Sequence, residues 1–109
     1  MSICIIIRRT LQDKEIAAKL APLIVELRSR ATVQPGYITG QTFSSLDRDG
    51  EYLVISTWNR VEDWSIWMNS EQRLAIQNQI EEITNEKTEY RYYEPIIGGI
   101  TPTFEAVVC

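Results

Sequence analysis

Aromatic and basic side chains are the groups of this sequence that could take part in chemistry. Trp64 and Trp67 stand three residues apart, a spacing that places two side chains on one helix face, and Trp58 precedes them closely. Indole rings of this kind can line a pocket, although large aromatic side chains more often pack in a core. The chain has no histidine. Histidine-ligated zinc or heme, Ser-His-Asp triads and imidazole bases are therefore excluded.

The hydroxyl and thiol groups do not predict covalent chemistry. Ser56 and Thr57 lack any base partner, so nucleophilic catalysis is not expected. Cys4 and Cys109 stand at opposite ends of the chain, which is not the pattern of a disulfide framework.

The charge balance and the hydropathy exclude two classes of partner. The chain carries 11 Lys and Arg against 15 Asp and Glu, a net charge of -4, and the basic residues are scattered. No basic stripe exists to neutralise phosphates, so no nucleic-acid partner is expected. No apolar run approaches the roughly 18 residues that cross a bilayer. The opening run Ile3–Ile7 is too short for a signal peptide, and we expect a cytoplasmic protein without a membrane partner.

The elements that must position these side chains begin with a strand and a helix. At 109 residues the chain predicts a single domain. Residues 2–9 alternate as a strand, with Ile3, Ile5 and Ile7 on one face. Residues 13–31 carry apolar side chains at spacings of three and four, which predicts a helix. Pro22 lies inside that helix and predicts a kink or break near residues 18–21.

The middle of the chain predicts a hairpin. Residues 37–46 and 51–59 read as two strands joined by the turn 47–50, which ends in Gly50. Alternation would place Tyr37 on the same face as Thr39, Gln41 and Phe43. Gly40 predicts a bulge or the close approach of another backbone.

Two short helices and a last strand follow. Asn59 with Glu62 has the form of a capping box that opens a helix to about residue 69. Ser70 reads as the cap of a second helix, to about residue 83. Residues 86–94 predict a strand, and the tail that follows could add another.

This order of elements predicts an α+β fold. Strand, helix, strand, strand, helix pair and strand is the ferredoxin-like split βαβ pattern, a four-stranded antiparallel sheet with helices on one face. Right-handed crossovers place the first and third strands in its centre. Both are apolar on both faces, so an uncovered face is expected to form a homodimer. Each subunit would keep a pocket for a small apolar or aromatic ligand, either between its sheet and its helices or within the shared barrel.

Several segments resemble the antibiotic biosynthesis monooxygenase (ABM) domain. Residues 35–42 read Pro-Gly-Tyr-Ile-Thr-Gly-Gln-Thr. Residues 53–72 read Leu-Val-Ile-Ser-Thr-Trp-Asn-Arg-Val-Glu-Asp-Trp-Ser-Ile-Trp-Met-Asn-Ser-Glu-Gln. Residues 88–95 read Thr-Glu-Tyr-Arg-Tyr-Tyr-Glu-Pro. The likeness divides the chain into an ABM-like domain over 1–95 and a tail over 96–109.

The resemblance implies a dimeric α/β barrel and, in its catalytic branch, oxygenation without metal, flavin or other cofactor. The heme-degrading branch of the family is not expected here. Its helix Trp matches Trp67, but its proximal His falls near residues 77–79, where this chain has no His. Its first-strand Asn falls near Arg8, so only one of its three positions matches. In the anthrone-oxidising branch a strand-end Trp matches Trp58. The helix Tyr of that branch falls at Trp64, which has no hydroxyl, and its third-strand Asn falls at Val54. The mechanism of that branch therefore does not carry over residue by residue.

We therefore predict a cofactor-independent monooxygenase for a small electron-rich aromatic of the quinol or anthrone type. The alternatives are a ligand-binding or stress-response module without catalysis on the same fold, and a purely structural dimer. The candidate pocket residues are Trp67, Tyr52, Trp58, Arg8 and Tyr92, and no catalytic residue or metal ligand is assigned. For the tyrosines the competing interpretation is a buried ring with a hydrated hydroxyl. For Arg8 it is a salt bridge to Glu89, Glu94 or Asp63.

Overall fold

The structure, a computed structural model, describes residues 2–11 and 13–96 as an antiparallel sheet with helices on one side. Its seven elements are β1 (Ile3–Thr10), α1 (Lys14–Ala31), β2 (Tyr37–Ser44), β3 (Glu51–Trp58), α2 (Val61–Met68), α3 (Glu71–Thr84) and β4 (Glu89–Tyr93). The strand order is β2-β3-β1-β4, and every pairing is antiparallel. The predicted α+β ferredoxin-like architecture, with the first and third strands central, is confirmed. In the described part of the chain, no helix is long and apolar enough to span a membrane.

Local sequence signals account for the N-termini of α1 and α3 but not for that of α2. Asp13 accepts a hydrogen bond from the Ile16 amide at 2.8 Å, and Ser70 accepts one from the Arg73 amide at 3.2 Å. The predicted cap at Asn59 is wrong: α2 has Arg60 at its N-cap, with no side-chain cap bond. The Asn59 amide instead donates to the carbonyl of Gly36 at 2.6 Å, which ties the chain to the preceding loop.

Helix α1 is continuous through Pro22, so the predicted break is absent. Pro22 lies in the middle of Lys14–Ala31 and is exposed. Its missing amide removes one helical hydrogen bond, at Ala18. On the other side of the helix, Leu20 and Leu27 are buried against the rest of the core, which keeps the two halves in one element.

The face of the sheet that the helices cover holds the core. Strand β1 contributes Ile5 and Ile7, and β3 contributes Val54 and Trp58, all of them buried. A bulge between Tyr37 and Thr39 corrects the predicted alternation of β2. Because of that extra residue, Tyr37 is the register partner of Trp58 and faces the helices. Thr39 and Phe43 face the opposite side of the sheet. At Gly40 the structure shows neither the predicted bulge nor the approach of another backbone: the Tyr37 side chain lies there, and a Cβ would collide with its hydroxyl.

The opposite face of the sheet carries apolar side chains that no described element covers. Register places Ile6 of β1 beside Ile55 of β3, and both are half-buried in the single chain. Phe43 on β2 and Tyr93 on β4 are 44% and 53% exposed. Residues 97–109 lie outside the described residues. The strand predicted in the tail therefore lies outside them as well.

Candidate functional site

A small cavity between the sheet and the helices is the best-formed candidate site. Its volume is about 50 Å³, which is enough for water molecules but not for a drug-sized ligand. Strands β1 and β3 form its floor, and all three helices contribute to its walls. Lining residues include Ile7, Arg9, Leu27, Tyr37, Trp58, Trp64, Trp67 and Arg73.

Aromatic rings in edge-to-face contact form one wall of the cavity. The centroid of Trp58 lies 5.4 Å from that of Tyr37 and 5.6 Å from that of Trp64, with interplanar angles of 87° and 68°. The Trp58 indole N–H donates to the Ser56 hydroxyl at 3.0 Å, so this fully buried ring has its polar atom satisfied. Contacts of this geometry are favourable beyond their buried area, and they hold the indoles in fixed orientations.

Arg73 places a buried positive charge among these rings. It is 2% exposed, and its guanidinium carbon lies 5.6 Å from the Trp64 centroid and 5.2 Å from that of Tyr90. It donates to the Met68 carbonyl at 3.4 Å and to the Tyr90 hydroxyl. Cation–π contact and neutral acceptors offset only part of the cost of removing this charge from water.

Arg9 places a second buried guanidinium at the cavity, in a polar setting. It is 6% exposed and donates to the Gln77 side-chain oxygen at 3.1 Å, to Thr88 Oγ1 at 3.4 Å and to the Tyr52 hydroxyl at 3.5 Å. Gln77 in turn donates to Glu81 at 2.9 Å. Burial raises the pKa of Tyr52, while the Arg9 charge and hydrogen bond lower it, and the net shift is upward. Tyr52 therefore keeps its proton at neutral pH.

A wider groove borders the cavity between α1 and the β2–β3 hairpin. Its volume is about 390 Å³, and Ile24 of α1 lines both the groove and the cavity. Arg28 bridges this cleft: it donates to Thr42 Oγ1 at 3.1 Å and to the carbonyl of Gly40 at 3.5 Å. The groove has the volume that a small ligand needs, and the cavity has the aromatic and cationic lining.

The structure places two of the five predicted pocket residues, Trp58 and Trp67, at the cavity. Tyr52 reaches it through Arg9 and also lines the groove. Tyr92 is 49% exposed, accepts from the Trp64 indole N–H at 3.1 Å and does not line the cavity.

Arg8, the fifth predicted pocket residue, does not line this cavity. Its neighbour Arg9 faces the helices, and successive strand residues point to opposite faces, so Arg8 lies on the uncovered face. There it pairs with Glu89 at 3.1 Å and with Glu51 at 3.6 Å.

Sequence reasoning missed the two buried arginines, although both had a signal. Arg9 continues the alternation of Ile3, Ile5 and Ile7, which is the face that became the core. Arg73 lies three residues before Ile76 on the apolar stripe of α3. A charged residue in register with a buried stripe is uncommon and marks a group worth testing for function.

The described residues hold no group of three or more His, Cys, Asp or Glu side chains arranged to bind a metal ion. The cavity lining contains no carboxylate among the described residues either. Its chemistry is therefore that of guanidinium groups, indoles and phenolic hydroxyls.

Comparison with known proteins gives the fold and no sequence family. No family model and no curated protein matches the chain. SnoaB, a cofactor-independent oxygenase from Streptomyces nogalater, aligns at a TM-score of 0.77 and 13% identity, over 92% of this chain and 98% of that one. Rv0793 from Mycobacterium tuberculosis aligns at 0.77 and 14%, over 91% and 99%. A structure described as an antibiotic biosynthesis monooxygenase aligns at 0.75 and 15%, over 87% and 99%. The chain shares the fold of these structures, as its resemblance to the ABM domain predicted.

Proposed function

We propose that this chain, which has the fold of antibiotic biosynthesis monooxygenase structures, is a cofactor-independent oxygenase for a small electron-rich aromatic of the quinol or anthrone type. The observation that carries the proposal is the cavity walled by Trp58, Trp64 and Trp67, with the buried Arg73 beside them. Flat indoles suit a flat ring, and a guanidinium suits the oxyanion that such a ring forms. SnoaB, which shares the fold, is described as a cofactor-independent oxygenase.

The chemistry needs an electron-rich anion held away from water. A deprotonated phenol can pass an electron to oxygen, and the carbon radical and reduced oxygen then combine. An anthrone methylene would lose two hydrogens and gain one oxygen atom, and the second oxygen atom would leave as water. The substrate supplies all the electrons, so no reductant is required.

Deprotonation would depend on electrostatics, since the described lining has no carboxylate base. The charge of Arg73 lowers the pKa of a bound phenol, and the surrounding indoles exclude water. Tyr52 keeps its proton, because burial raises its pKa. It would therefore hold Arg9 in place as a neutral acceptor and would not act as a base.

Oxygen uptake with 1,8-dihydroxyanthrone and a panel of hydroquinones tests the proposal. We expect uptake well above an enzyme-free blank and, with labelled oxygen, one labelled atom in the anthraquinone product. Trp67→Ala should lower the rate by about tenfold or more because it removes a wall of the cavity. Trp67→Phe, which keeps a ring, should lose less.

The matched control is Ile66→Ala. Ile66 is the residue before Trp67 on α2 and is 70% exposed, so its removal should leave oxygen uptake unchanged. Uptake equal to the blank across the panel would reject the oxygenase.

A ligand-binding module without catalysis is the second candidate. The enclosed volume of about 50 Å³ and the lack of a base in the described lining favour it. It predicts that the same aromatics bind, as seen in tryptophan fluorescence, with no oxygen uptake above the blank.

We also propose that two copies pair through the uncovered sheet face. Ile6, Leu53 and Ile55 form an apolar centre there, and Arg8 and Glu89 carry opposite charges near it. A twofold axis through such a face buries its apolar centre and lets opposite charges meet across the interface.

A further inference from the structure

The cavity contains two buried positive charges with which no carboxylate of residues 2–11 and 13–96 forms an ion pair. Arg9 and Arg73 both line it, at 6% and 2% exposure. The ion pairs of the described residues involve other arginines: Arg8, Arg30, Arg48 and Arg60. Buried charges in proteins are usually paired, because removing an ion from water costs more than neutral acceptors return. The two guanidiniums therefore leave the cavity with a surplus of positive charge.

The surroundings of Arg9 differ from those of Arg73 and suit a carboxylate. Arg9 is held by neutral acceptors only, the Tyr52 and Thr88 hydroxyls and the Gln77 amide oxygen. The Thr88 hydroxyl also accepts from the Gln77 side-chain amide at 2.8 Å, so the acceptors around Arg9 form one uncharged network. A guanidinium has more N–H groups than these contacts use, and its planar fork matches a carboxylate. The Gln77 contact also fixes the orientation of that fork.

Arg73 lies instead between aromatic rings. Its contacts are the faces of Trp64 and Tyr90, the Tyr90 hydroxyl and one backbone carbonyl. This is the environment in which a phenolate oxygen of a flat ring would meet a cation. One phenolate neutralises only one of the two guanidiniums, so the charge balance of the filled cavity calls for a second anionic group on the same ligand.

We propose that the substrate is an acidic aromatic whose carboxylate binds Arg9 while its electron-rich ring lies against the tryptophans and its phenolic oxygen faces Arg73. The inference rests on the proposed function and names the substrate class of that site. A ligand of this class would extend from Arg9, among its polar partners, to Arg73, between the rings of Trp64 and Tyr90. Its entry requires the cleft beside Ile24 to widen, since the enclosed volume is about 50 Å³.

A matched pair of ligands isolates the carboxylate. 2,5-Dihydroxybenzoate and 2,5-dihydroxybenzamide share the quinol ring and nearly the same shape, and they differ by one negative charge. We expect the full chain, titrated without oxygen in a calorimeter, to bind the benzoate about tenfold more tightly or better. The indole N–H signals of the tryptophans should shift in the NMR spectrum, which places the ligand at the cavity. Equal affinity for the two ligands would overturn the proposal.

Variants assign the preference to Arg9. Arg9→Met should abolish it, so that both ligands bind with equal affinity. Arg91→Met should keep it, because Arg91 is an exposed strand arginine whose register with Ile6 places it on the opposite face of the sheet. Arg9→Lys retains the charge without the fork and should keep only part of the preference. If Arg9→Met does not fold, the affinities of the wild-type chain and of Arg9→Lys for the two ligands test the assignment to Arg9. A preference undiminished in Arg9→Met or in Arg9→Lys would overturn the assignment.

Readmitting oxygen separates this inference from the proposed function. Preference for the benzoate without oxygen uptake would reject the oxygenase and leave the carboxylate site standing. Uptake on neutral and acidic quinols alike, with equal affinities, would reject the carboxylate site and leave the oxygenase standing.

Discussion

At the scale of single residues, two adjacent arginines of β1 have opposite roles. Arg9 is buried at the cavity and bonded to neutral groups, whereas Arg8 lies on the other face in ion pairs with Glu51 and Glu89. Partly exposed pairs such as those of Arg8 contribute about 1 kcal/mol or less. The charge of Arg9 is expensive to bury, so its retention points to a ligand and not to stability.

Tyr52 gives a test of this buried network through the pH dependence of stability. Its pKa in the folded chain is raised from the ordinary 10.0, first by burial, against the lowering effect of Arg9. The folded state therefore favours the neutral phenol. Its contribution to stability is complete below pH 10.0 and is lost as the pH rises above that value, because the unfolded chain ionises first.

We expect Tyr52→Phe to flatten the fall in the free energy of unfolding on the alkaline side, and to cost about 1 kcal/mol at neutral pH through the lost hydrogen bond. Urea unfolding at a series of pH values measures both effects. Tyr93→Phe is the control, because Tyr93 is 53% exposed. An alkaline slope that is the same in wild type and Tyr52→Phe would contradict the buried, neutral state of this phenol.

At the scale of elements, we expect a ligand to reach the cavity through the cleft between α1 and β2, because Ile24 lines both the groove there and the cavity. The Arg28 side chain crosses this cleft from α1 and donates hydrogen bonds to Thr42 and to the carbonyl of Gly40 on β2. These contacts are exposed, and exposed contacts exchange quickly with water. We therefore expect Arg28 to act as a latch that opens without unfolding the helix.

Arg28→Ala should speed ligand association by about threefold or more, since the latch no longer has to open first. Stability should change by less than about 1 kcal/mol, because the lost contacts are exposed. Stopped-flow tryptophan fluorescence with 2,5-dihydroxybenzoate measures the rate. Arg30→Ala on the same helix removes only the pair with Glu26 and should leave the rate unchanged. An unchanged rate in Arg28→Ala would place the entrance elsewhere.

At the scale of the whole molecule, the helices of the described residues cover one face of a sheet that is apolar on both, and no other described element covers the second face. Ile55 points to the uncovered face, where its register partner is Ile6, and Phe43 lies at the edge of that face on β2. Such a surface is costly in water and is typical of an interface.

We expect the wild-type chain to sediment as a dimer and Ile55→Glu to sediment as a monomer, because a carboxylate would be buried at the centre of the interface. Val33→Glu is the control: Val33 is 77% exposed in the loop after α1, so this variant should remain a dimer. A monomeric wild type at micromolar concentration would contradict the pairing. Ile55→Glu that still dimerises would place the interface on another surface.

The sequence by itself determined the order and type of the elements and the α+β class. Alternation along residues 2–9 and the apolar stripe over 13–31 are local patterns, and each depends only on the geometry of one strand or one helix. The Ser70 cap was also predictable, because the side chain bonds an amide three residues away. Trp58 and Trp67 could be named as pocket candidates on the same local basis, as large aromatics near a strand end and on a helix face.

Only the tertiary structure decided which face of each strand became the cavity. Alternation separates Arg8 from Arg9 but does not say which of them the helices will cover, since that depends on the packing of α1 and α3 against the sheet. The Asn59 cap failed for a similar reason: its amide bonds to Gly36, a residue distant in sequence. The bulge after Tyr37 likewise turned that ring inward toward Trp58. Arg9 and Arg73 lie in register with local apolar patterns, but their burial and their partners arise from contacts between distant parts of the chain.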